Sequence, residues 1–168
     1  MKIAVKDANV FIDMEAMGVF DLWAQLGYET LTTSLIVLEL EDGCHAEALA
    51  YIETGGISVV DPSSEAIYDL YSKLPGLSIE DASVLCLAIE RNAMLLTGDK
   101  TLRNAGEVRQ VEVHGSIWVL DKLVQEGKLA GTVAAEKLHS LLNLAGAGSR
   151  FLPDKLAYKY IRKWSVCR

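Results

Sequence analysis

Short apolar runs bounded by turn residues recur along the first two-thirds of the chain. Runs of about four to eight apolar residues are typical of buried strands. They predict five strands, at residues 2–6, 29–33, 57–61, 93–98 and 111–113.

Between these runs, apolar residues recur at the three- and four-residue spacing of amphipathic helices. With glycine, proline and serine marking the ends, this spacing predicts helices over residues 14–26, 34–41, 46–53, 63–73, 78–91, 116–125 and 133–144, a short helix from Lys100 and a last helix from near Pro153. Strands that alternate with helices predict an α/β fold around a mostly parallel sheet.

Length and charge suggest one compact domain with a basic end. The 168 residues, 51% of them hydrophobic, are enough for a single core without staples. Residues 150–168 carry a net charge of +5, whereas the rest of the chain carries −12. We therefore expect a main domain over residues 1–150 and a basic helical extension over residues 151–168, packed on the same domain.

The sequence carries no signal for export or membrane insertion. Charged residues interrupt the first thirteen positions, so a signal-peptide apolar region is lacking, and no run of about 18 apolar residues exists. The three cysteines are far apart and form no CxxC pair, which argues against a disulfide framework or a structural zinc site. The expected location is the cytoplasm.

Four acidic residues are predicted to converge at the carboxyl edge of the sheet, where open α/β sheets bind ligands. They are Asp7, Glu39, Asp81 and Asp99. Asp7 and Asp99 follow the first and fourth strands, and Asp81 shares an inward helix face with Leu85 and Ile89, from which its neighbour Glu80 points away. Glu39 shares an inward face with Leu35 and Ile36.

Inward carboxylates that repel each other are stabilised by a divalent cation, and Mg²⁺ and Mn²⁺ prefer oxygen ligands. The predicted chemistry is metal-assisted hydrolysis, with Asp7, Glu39, Asp81 and Asp99 as both catalytic residues and metal ligands. Asn9 and Thr97 are uncharged neighbours that could orient these acids.

Several of these acids also have a purely structural interpretation. Asp81 lies three residues after Ser78, as in a capping box, and Asp99 could cap the helix from Lys100. Asp7 could be a turn residue, and Asp13 is predicted to be only an N-cap. Glu39 has no capping role.

Other catalytic motifs are weak or missing. The chain has no GxGxxG, Walker A or GxSxG motif, and its three histidines are scattered. A phosphatase of the haloacid-dehalogenase type needs DxDxT after its first strand, and the residues after that strand here begin Asp7, Ala8, Asn9. A phosphatase acting on small phosphoesters stays open as a minor alternative.

With these residues in place, the chain resembles the PIN-domain family of ribonucleases. Residues 5–13 resemble the family's opening strand with the acid at Asp7, and residues 34–40 its second motif with the acid at Glu39. Residues 77–103, which carry Asp81 and Asp99, are the most specific part. The resemblance continues over residues 113–129 and ends at about Leu129.

This resemblance implies a doubly wound, mostly parallel sheet of about five strands flanked by helices, with the C-terminal helix as an addition. It implies Mg²⁺ or Mn²⁺ at the acids and endonucleolytic cleavage of single-stranded or structured RNA. Many bacterial members are toxins held inactive by a small antitoxin protein, and many are homodimers. A non-catalytic PIN-like module that binds RNA or protein is the alternative.

The basic extension is a candidate RNA-binding surface. Its basic residues fall at helical spacing beside aromatic residues, a combination suited to single-stranded nucleic acid. The predicted RNA contacts in the extension are Lys155, Lys159, Arg162 and Lys163. Lys100 and Arg103, just after Asp99, are separate candidates for phosphate contact. Alternatively, Tyr158, Ile161 and Trp164 simply pack the helix onto the domain.

Overall fold

The computed structural model describes residues 3–145 and 152–166. Within these residues, five strands form one sheet: β1 (Ile3–Lys6), β2 (Glu29–Thr32), β3 (Ser58–Val59), β4 (Met94–Leu96) and β5 (Val113–His114). All four strand pairings are parallel, and the order across the sheet is β3-β2-β1-β4-β5. The predicted α/β fold with a parallel sheet is confirmed.

Ten helices connect or follow the strands in the described part of the chain. They are α1 (Ala8–Met17), α2 (Phe20–Ala24), α3 (Ser34–Asp42), α4 (Ala46–Glu53), α5 (Ser64–Lys73), α6 (Ile79–Glu90), α7 (Lys100–Val108), α8 (Ser116–Gln125), α9 (Gly131–Ala145) and α10 (Asp154–Val166). None of the described helices has the length and apolar character needed to cross a membrane.

The sheet reverses its direction of winding between β1 and β4. From β1 the chain adds β2 and β3 on one side, and then crosses to β4 and β5 on the other. β1 is central, and Ala4 and Val5 are fully buried between the layers. Such a reversal opens a crevice beyond the carboxyl ends of the two strands that flank it. Asp7 directly follows β1, and Thr97 directly follows β4.

The first helix differs most from the prediction. The pattern predicts one helix over residues 14–26, capped by Asp13, whereas α1 begins at Ala8 and ends at Met17. Gly18, with φ +59°, takes the left-handed conformation that ends a helix, and α2 follows separately. Asp13 therefore lies inside α1 and is not a cap.

A lysine occupies the interior beside the sheet. Lys6 is fully buried, with its Nζ 3.1 Å from the sulfur of Met14 and 4.3 Å from the ring centroid of Trp23. The rings of Phe11 and Phe20 also face the amine. Burial lowers the pKa of Lys6 well below its ordinary value, because a cation there would lose its hydration.

The final helix packs against α8 and α9 through one of its faces. Ala157 and Trp164 are buried, and the Trp164 Nε1 donates a 2.9 Å hydrogen bond to the carboxylate of Asp121 on α8. The packing interpretation therefore describes Trp164 well, whereas Tyr158 is half exposed. The domain boundary predicted at residue 150 and the chain end at residues 167–168 lie outside the described residues.

Candidate active site

A cleft of about 610 Å³ lies at the carboxyl edge of β1 and β4. All four predicted acids line it: Asp7, Glu39, Asp81 and Asp99. They come from four separate elements of the chain, so their meeting depends on the sheet order. The cleft is also lined by Asn9, Asp42, Ser78 and Glu80.

Asp7 is the most buried of the four, with 2% of its surface exposed. It occupies the N-cap position of α1, but its side chain caps nothing there. Instead, its Oδ2 accepts hydrogen bonds from the hydroxyl of Thr97 at 2.8 Å and from the amide of Asn9 at 3.4 Å. These two bonds orient the carboxylate toward the end of β4.

Burial raises the pKa of Asp7 from 3.8 to about 7. The Thr97 hydrogen bond lowers the pKa, the charge of Asp81 raises it, the Asn9 bond lowers it, and the charge of Glu39 raises it. Desolvation outweighs both hydrogen bonds. Without a bound cation, the Asp7 carboxyl would therefore be divided between its neutral and charged forms near neutral pH.

The loop from Thr97 to Asp99 ties two of the acids together. The Thr97 hydroxyl, which donates to Asp7, also accepts a 2.9 Å hydrogen bond from the backbone N–H of Asp99. Asp99 in turn caps α7, since its Oδ1 accepts from the N–H of Leu102 at 2.7 Å. The capping interpretation of Asp99 is thus correct, and the residue lines the cleft at the same time.

Asp81 likewise has a structural role and a place in the cleft. Ser78 and Asp81 form a reciprocal capping box at the start of α6. Partial burial raises the pKa of Asp81, its bonds with Ser78 lower it, and the charges of Asp99 and Glu80 raise it. The expectation that Glu80 points away from the cleft is wrong, because the first turn of α6 presents both acids to it.

Glu39 approaches the cleft from α3 and lies at its rim. The sequence predicts that Glu39 faces the interior, but its side chain is exposed to solvent. Leu38 beside it is 56% exposed. Desolvation raises the pKa of Glu39, and the charges of Glu80 and Asp81 raise it further. A 2.7 Å hydrogen bond between Thr33 and Ser83 holds the start of α3 against α6.

The donor set of the cleft suits a hard divalent ion. It consists of carboxylates and neutral oxygens, and the acids raise one another's pKa, as expected of like charges held close together. Among the described residues, however, no three acidic, histidine or cysteine side chains are grouped closely enough to share one ion. The residues that could hold a divalent ion, directly or through water, are Asp7, Glu39, Asp81 and Asp99.

A family model described as a PIN domain matches residues 3–165. The chain belongs to the PIN-domain family. The resemblance seen in the sequence ends at about Leu129, whereas the family match extends to residue 165, within α10.

Solved structures share the fold of this PIN domain. PAE2754 from Pyrobaculum aerophilum is similar over 74% of this chain and 96% of its own, with a TM-score of 0.58 and 17% identity. VapBC2 from Rickettsia felis, bound to a DNA fragment from its promoter, is similar over 67% of this chain and 98% of its own, with a TM-score of 0.50 and 14% identity. Curated proteins gave no match.

The basic residues of this PIN domain have unequal surroundings. Lys100 is exposed next to Asp99. Arg103 instead directs its guanidinium to the backbone carbonyls of Thr97 and Val113, at 3.1 and 3.2 Å, and so braces β4 against β5. Lys163 contacts Asp121 at 2.8 Å and the ring of Tyr160.

The remaining basic residues of α10 form an exposed stripe. Lys155, Lys159 and Arg162 are exposed, with Tyr158 among them. Their spacing places these four side chains on one helix face. The face with Ala157 and Trp164 packs on the PIN domain. The exposed basic residues and the packing residues therefore lie on different faces of the same helix, and RNA contact by the exposed face stays a prediction.

Asp13 has a role that its predicted capping function does not describe. It is 4% exposed within α1, and its Oδ2 accepts a 2.5 Å hydrogen bond from Ser116 at the start of α8. It lies on the wall of a second cavity in the PIN domain. In the sequence, only the presence of an acid within the mostly apolar residues 10–17 could have indicated that Asp13 is buried.

Proposed function

We propose that this PIN domain is a metal-dependent endoribonuclease that hydrolyses phosphodiester bonds in single-stranded or structured RNA. The observation that supports it most directly is the single cleft lined by Asp7, Glu39, Asp81 and Asp99 at the reversal point of the sheet. Membership of a family of ribonucleases supports the choice of RNA as the substrate.

Mg²⁺ or Mn²⁺ bound by these acids would supply positive charge for the phosphate and lower the pKa of a bound water. Burial raises the pKa of Asp7 to about 7 without a cation, so the positive charge of a bound divalent ion would favour the carboxylate form that binds it. Thr97 and Asn9 would keep the Asp7 carboxylate in one orientation through their hydrogen bonds. Glu39, at the exposed rim, would act next to the incoming strand.

The RNA backbone would be held outside the acidic cleft. The exposed stripe of Lys155, Lys159 and Arg162 on α10 and the exposed Lys100 beside the cleft are the cations best placed to contact phosphates. Tyr158 lies within the stripe and could stack on a base. Arg103 and Lys163 contribute less, because their described partners are groups of the domain itself.

Cleavage by paired variants tests the proposal. Glu39→Gln removes a cleft acid that has no described capping bond, so the fold should persist while Mn²⁺-dependent cleavage of a mixed-sequence RNA falls at least about 100-fold. Glu41→Gln, on the same helix but outside the cleft, should leave cleavage unchanged. Asp7→Asn should also abolish cleavage. Equal cleavage by Glu39→Gln, Asp7→Asn and the unmodified protein would show that the site is elsewhere.

The alternative is a PIN-like module that binds RNA or protein without cutting. It predicts no cleavage of a broad RNA panel and no change in melting temperature with Mn²⁺. A phosphatase would instead turn over a generic phosphomonoester and lose that activity in Asp7→Asn. The endoribonuclease proposal predicts cleavage within the RNA chain, which neither alternative produces.

We further propose a toxin role, in which a small antitoxin protein would cover the cleft of a monomer or homodimer. The fold shared with VapBC2 from Rickettsia felis and the family membership support this role. Expression of the chain alone should arrest growth, and co-expression of the neighbouring small reading frame should restore it. Arrest that persists in Asp7→Asn would separate toxicity from cleavage.

A further inference from the structure

A second cavity, of about 420 Å³, lies beside the acidic cleft on the β5 side of β4. We call it the α10 cavity, because α10 forms one wall through Leu156 and Tyr160. The opposite walls come from β5 and α8, through His114 and Trp118, and from Asp13 and Arg103. Its size is within the range of small-ligand pockets.

The cavity presents aromatic rings on which a flat group can stack. The rings of His114 and Trp118 lie face to face, with centroids 4.1 Å apart and planes 10° apart, and Tyr160 adds a third ring. Nucleobases stack on such rings. Two buried polar side chains, Asp13 and Ser116, also line the cavity and could contact the polar edge of a base.

Charge argues against a phosphate as the occupant. The carboxylate of Asp13 lies on the wall, and Glu112 contacts the His114 ring at 2.7 Å. The guanidinium of Arg103 also lies there, but it donates to two backbone carbonyls. A phosphate would face the carboxylate of Asp13, and the only lysine or arginine among the described lining residues is Arg103, which already donates to two backbone carbonyls.

A single loop separates the α10 cavity from the cleft. Thr97 and Gly98 line the cavity, the next residue, Asp99, lines the cleft, and the Thr97 hydroxyl bonds Asp7 in the cleft. Consecutive Cα atoms are about 3.8 Å apart. An RNA strand with one phosphate in the cleft would therefore have a neighbouring base within reach of the cavity.

We propose that the α10 cavity binds one unstacked base of the RNA, adjacent to the phosphodiester bond that is cut, and so selects the cleavage sequence. This inference rests on the proposed ribonuclease function. The final helix would then determine specificity as one wall of a base pocket, separately from its exposed basic stripe.

The first test maps binding without metal or cleavage. The four nucleoside 5′-monophosphates are titrated into the full chain, with ribose 5-phosphate as the probe that lacks a base. At least one nucleotide should shift the amide resonances of Gly98, Gly115 and Ile117 saturably and leave Ser78 unchanged, and ribose 5-phosphate should shift none of them. Shifts confined to the acidic cleft, equal shifts with ribose 5-phosphate, or no saturable shift would overturn the proposal.

Paired variants then connect the cavity to specificity. Leu156→Glu places a charge in the cavity wall, whereas Val133→Glu places one at a similarly exposed site outside it; the two residues are 41% and 38% exposed. Leu156→Glu should weaken nucleotide binding at least tenfold and reduce the preference among RNAs that differ beside the cut, and Val133→Glu should change neither. If Leu156→Glu unfolds the domain, His114→Ala provides the same test by removing one ring.

The proposed base pocket and the proposed ribonuclease function can be refuted independently. Asp7→Asn should lose cleavage and keep the nucleotide-induced shifts at Gly98 and Gly115. Cleavage that survives in Asp7→Asn contradicts the proposed function, whatever the cavity binds. Sequence preference unchanged in both Leu156→Glu and His114→Ala contradicts the base pocket, even if the domain cleaves RNA.

Discussion

The hydroxyl of Thr97 donates a 2.8 Å hydrogen bond to the Oδ2 of Asp7, across ninety positions of the sequence. The same hydroxyl accepts from the backbone N–H of Asp99. One neutral side chain therefore links the acids that follow β1 and β4, and its bond to Asp7 lowers the pKa that burial raises.

Removing this hydroxyl should change the pH dependence of activity. In Thr97→Val, Asp7 loses a bond that lowers its pKa, so the acidic limb of kcat/KM for RNA cleavage should move to higher pH. The buried carboxylate and the Asp99 N–H also lose a partner, and we expect the free energy of unfolding to fall by about 1–3 kcal/mol. Thr97→Ser keeps the hydroxyl and should restore the limb. An acidic limb identical in Thr97→Val and the unmodified protein would refute the role of the bond.

Asp7 should destabilise the metal-free fold at neutral and alkaline pH. Its pKa is about 7 in the folded protein and close to 3.8 in the unfolded chain. Between these values the folded state holds a proton that the unfolded state has lost. The contribution to stability is therefore fully present below about pH 4 and is lost as the pH rises through about 7.

Asp7→Asn removes this titration and keeps an oxygen for Thr97. Above pH 7 the variant should be more stable than the unmodified protein by up to about 4 kcal/mol, and the difference should vanish near pH 4. Denaturant melts at several pH values measure it, with the exposed Glu136→Gln on α9 as the control. An Asp7→Asn that is less stable at pH 8 would contradict the burial argument.

Replacement of the buried lysine should stabilise the domain. Full burial disfavours the charged amine of Lys6 and lowers its pKa well below the ordinary value, whereas the three aromatic rings around it could offset only about 2 kcal/mol of such a cost. Lys6→Met keeps the volume beside Met14, and we expect it to raise the free energy of unfolding at pH 7 by about 1–3 kcal/mol.

The gain from Lys6→Met should depend on pH. The unfolded lysine takes up a proton below its ordinary pKa of 10.5, and the folded one resists doing so. The stabilisation should therefore shrink as the pH rises toward about 10.5. Lys128→Met, at an exposed position, should show neither the gain nor its pH dependence. Chemical denaturation across this pH range decides the matter.

The stripe on α10 should affect RNA affinity and not the chemical step. Replacing Lys155, Lys159 and Arg162 by glutamine removes up to three phosphate contacts. The slope of log K against log salt should then decrease by about 2, with kcat unchanged. Filter binding at several salt concentrations measures the slope, and the double variant Arg91→Gln with Lys128→Gln, exposed elsewhere, is the control. An unchanged slope would exclude the stripe from RNA binding.

Local patterns were enough to predict most elements of the fold. The strands before Asp7 and Asp99 could be predicted because buried parallel strands have short, continuous apolar sequences. The failure at α1 arose because a buried Asp13 resembles a cap in a linear pattern, and its acceptance of the Ser116 hydroxyl is a contact over 103 positions. Glu80 was misassigned for a related reason: helical periodicity gives its angle from Asp81 but not the shape of the cleft.

By itself, the sequence determined the alternation of strands and helices and the residue types at the strand ends, because periodicity and turn chemistry act over a few residues. Only the tertiary structure decided that Asp7, Glu39, Asp81 and Asp99 line one cleft. It also decided that burial would raise the Asp7 pKa and that α10 would wall a second cavity. These features depend on strand order and on desolvation, which arise from contacts between distant segments.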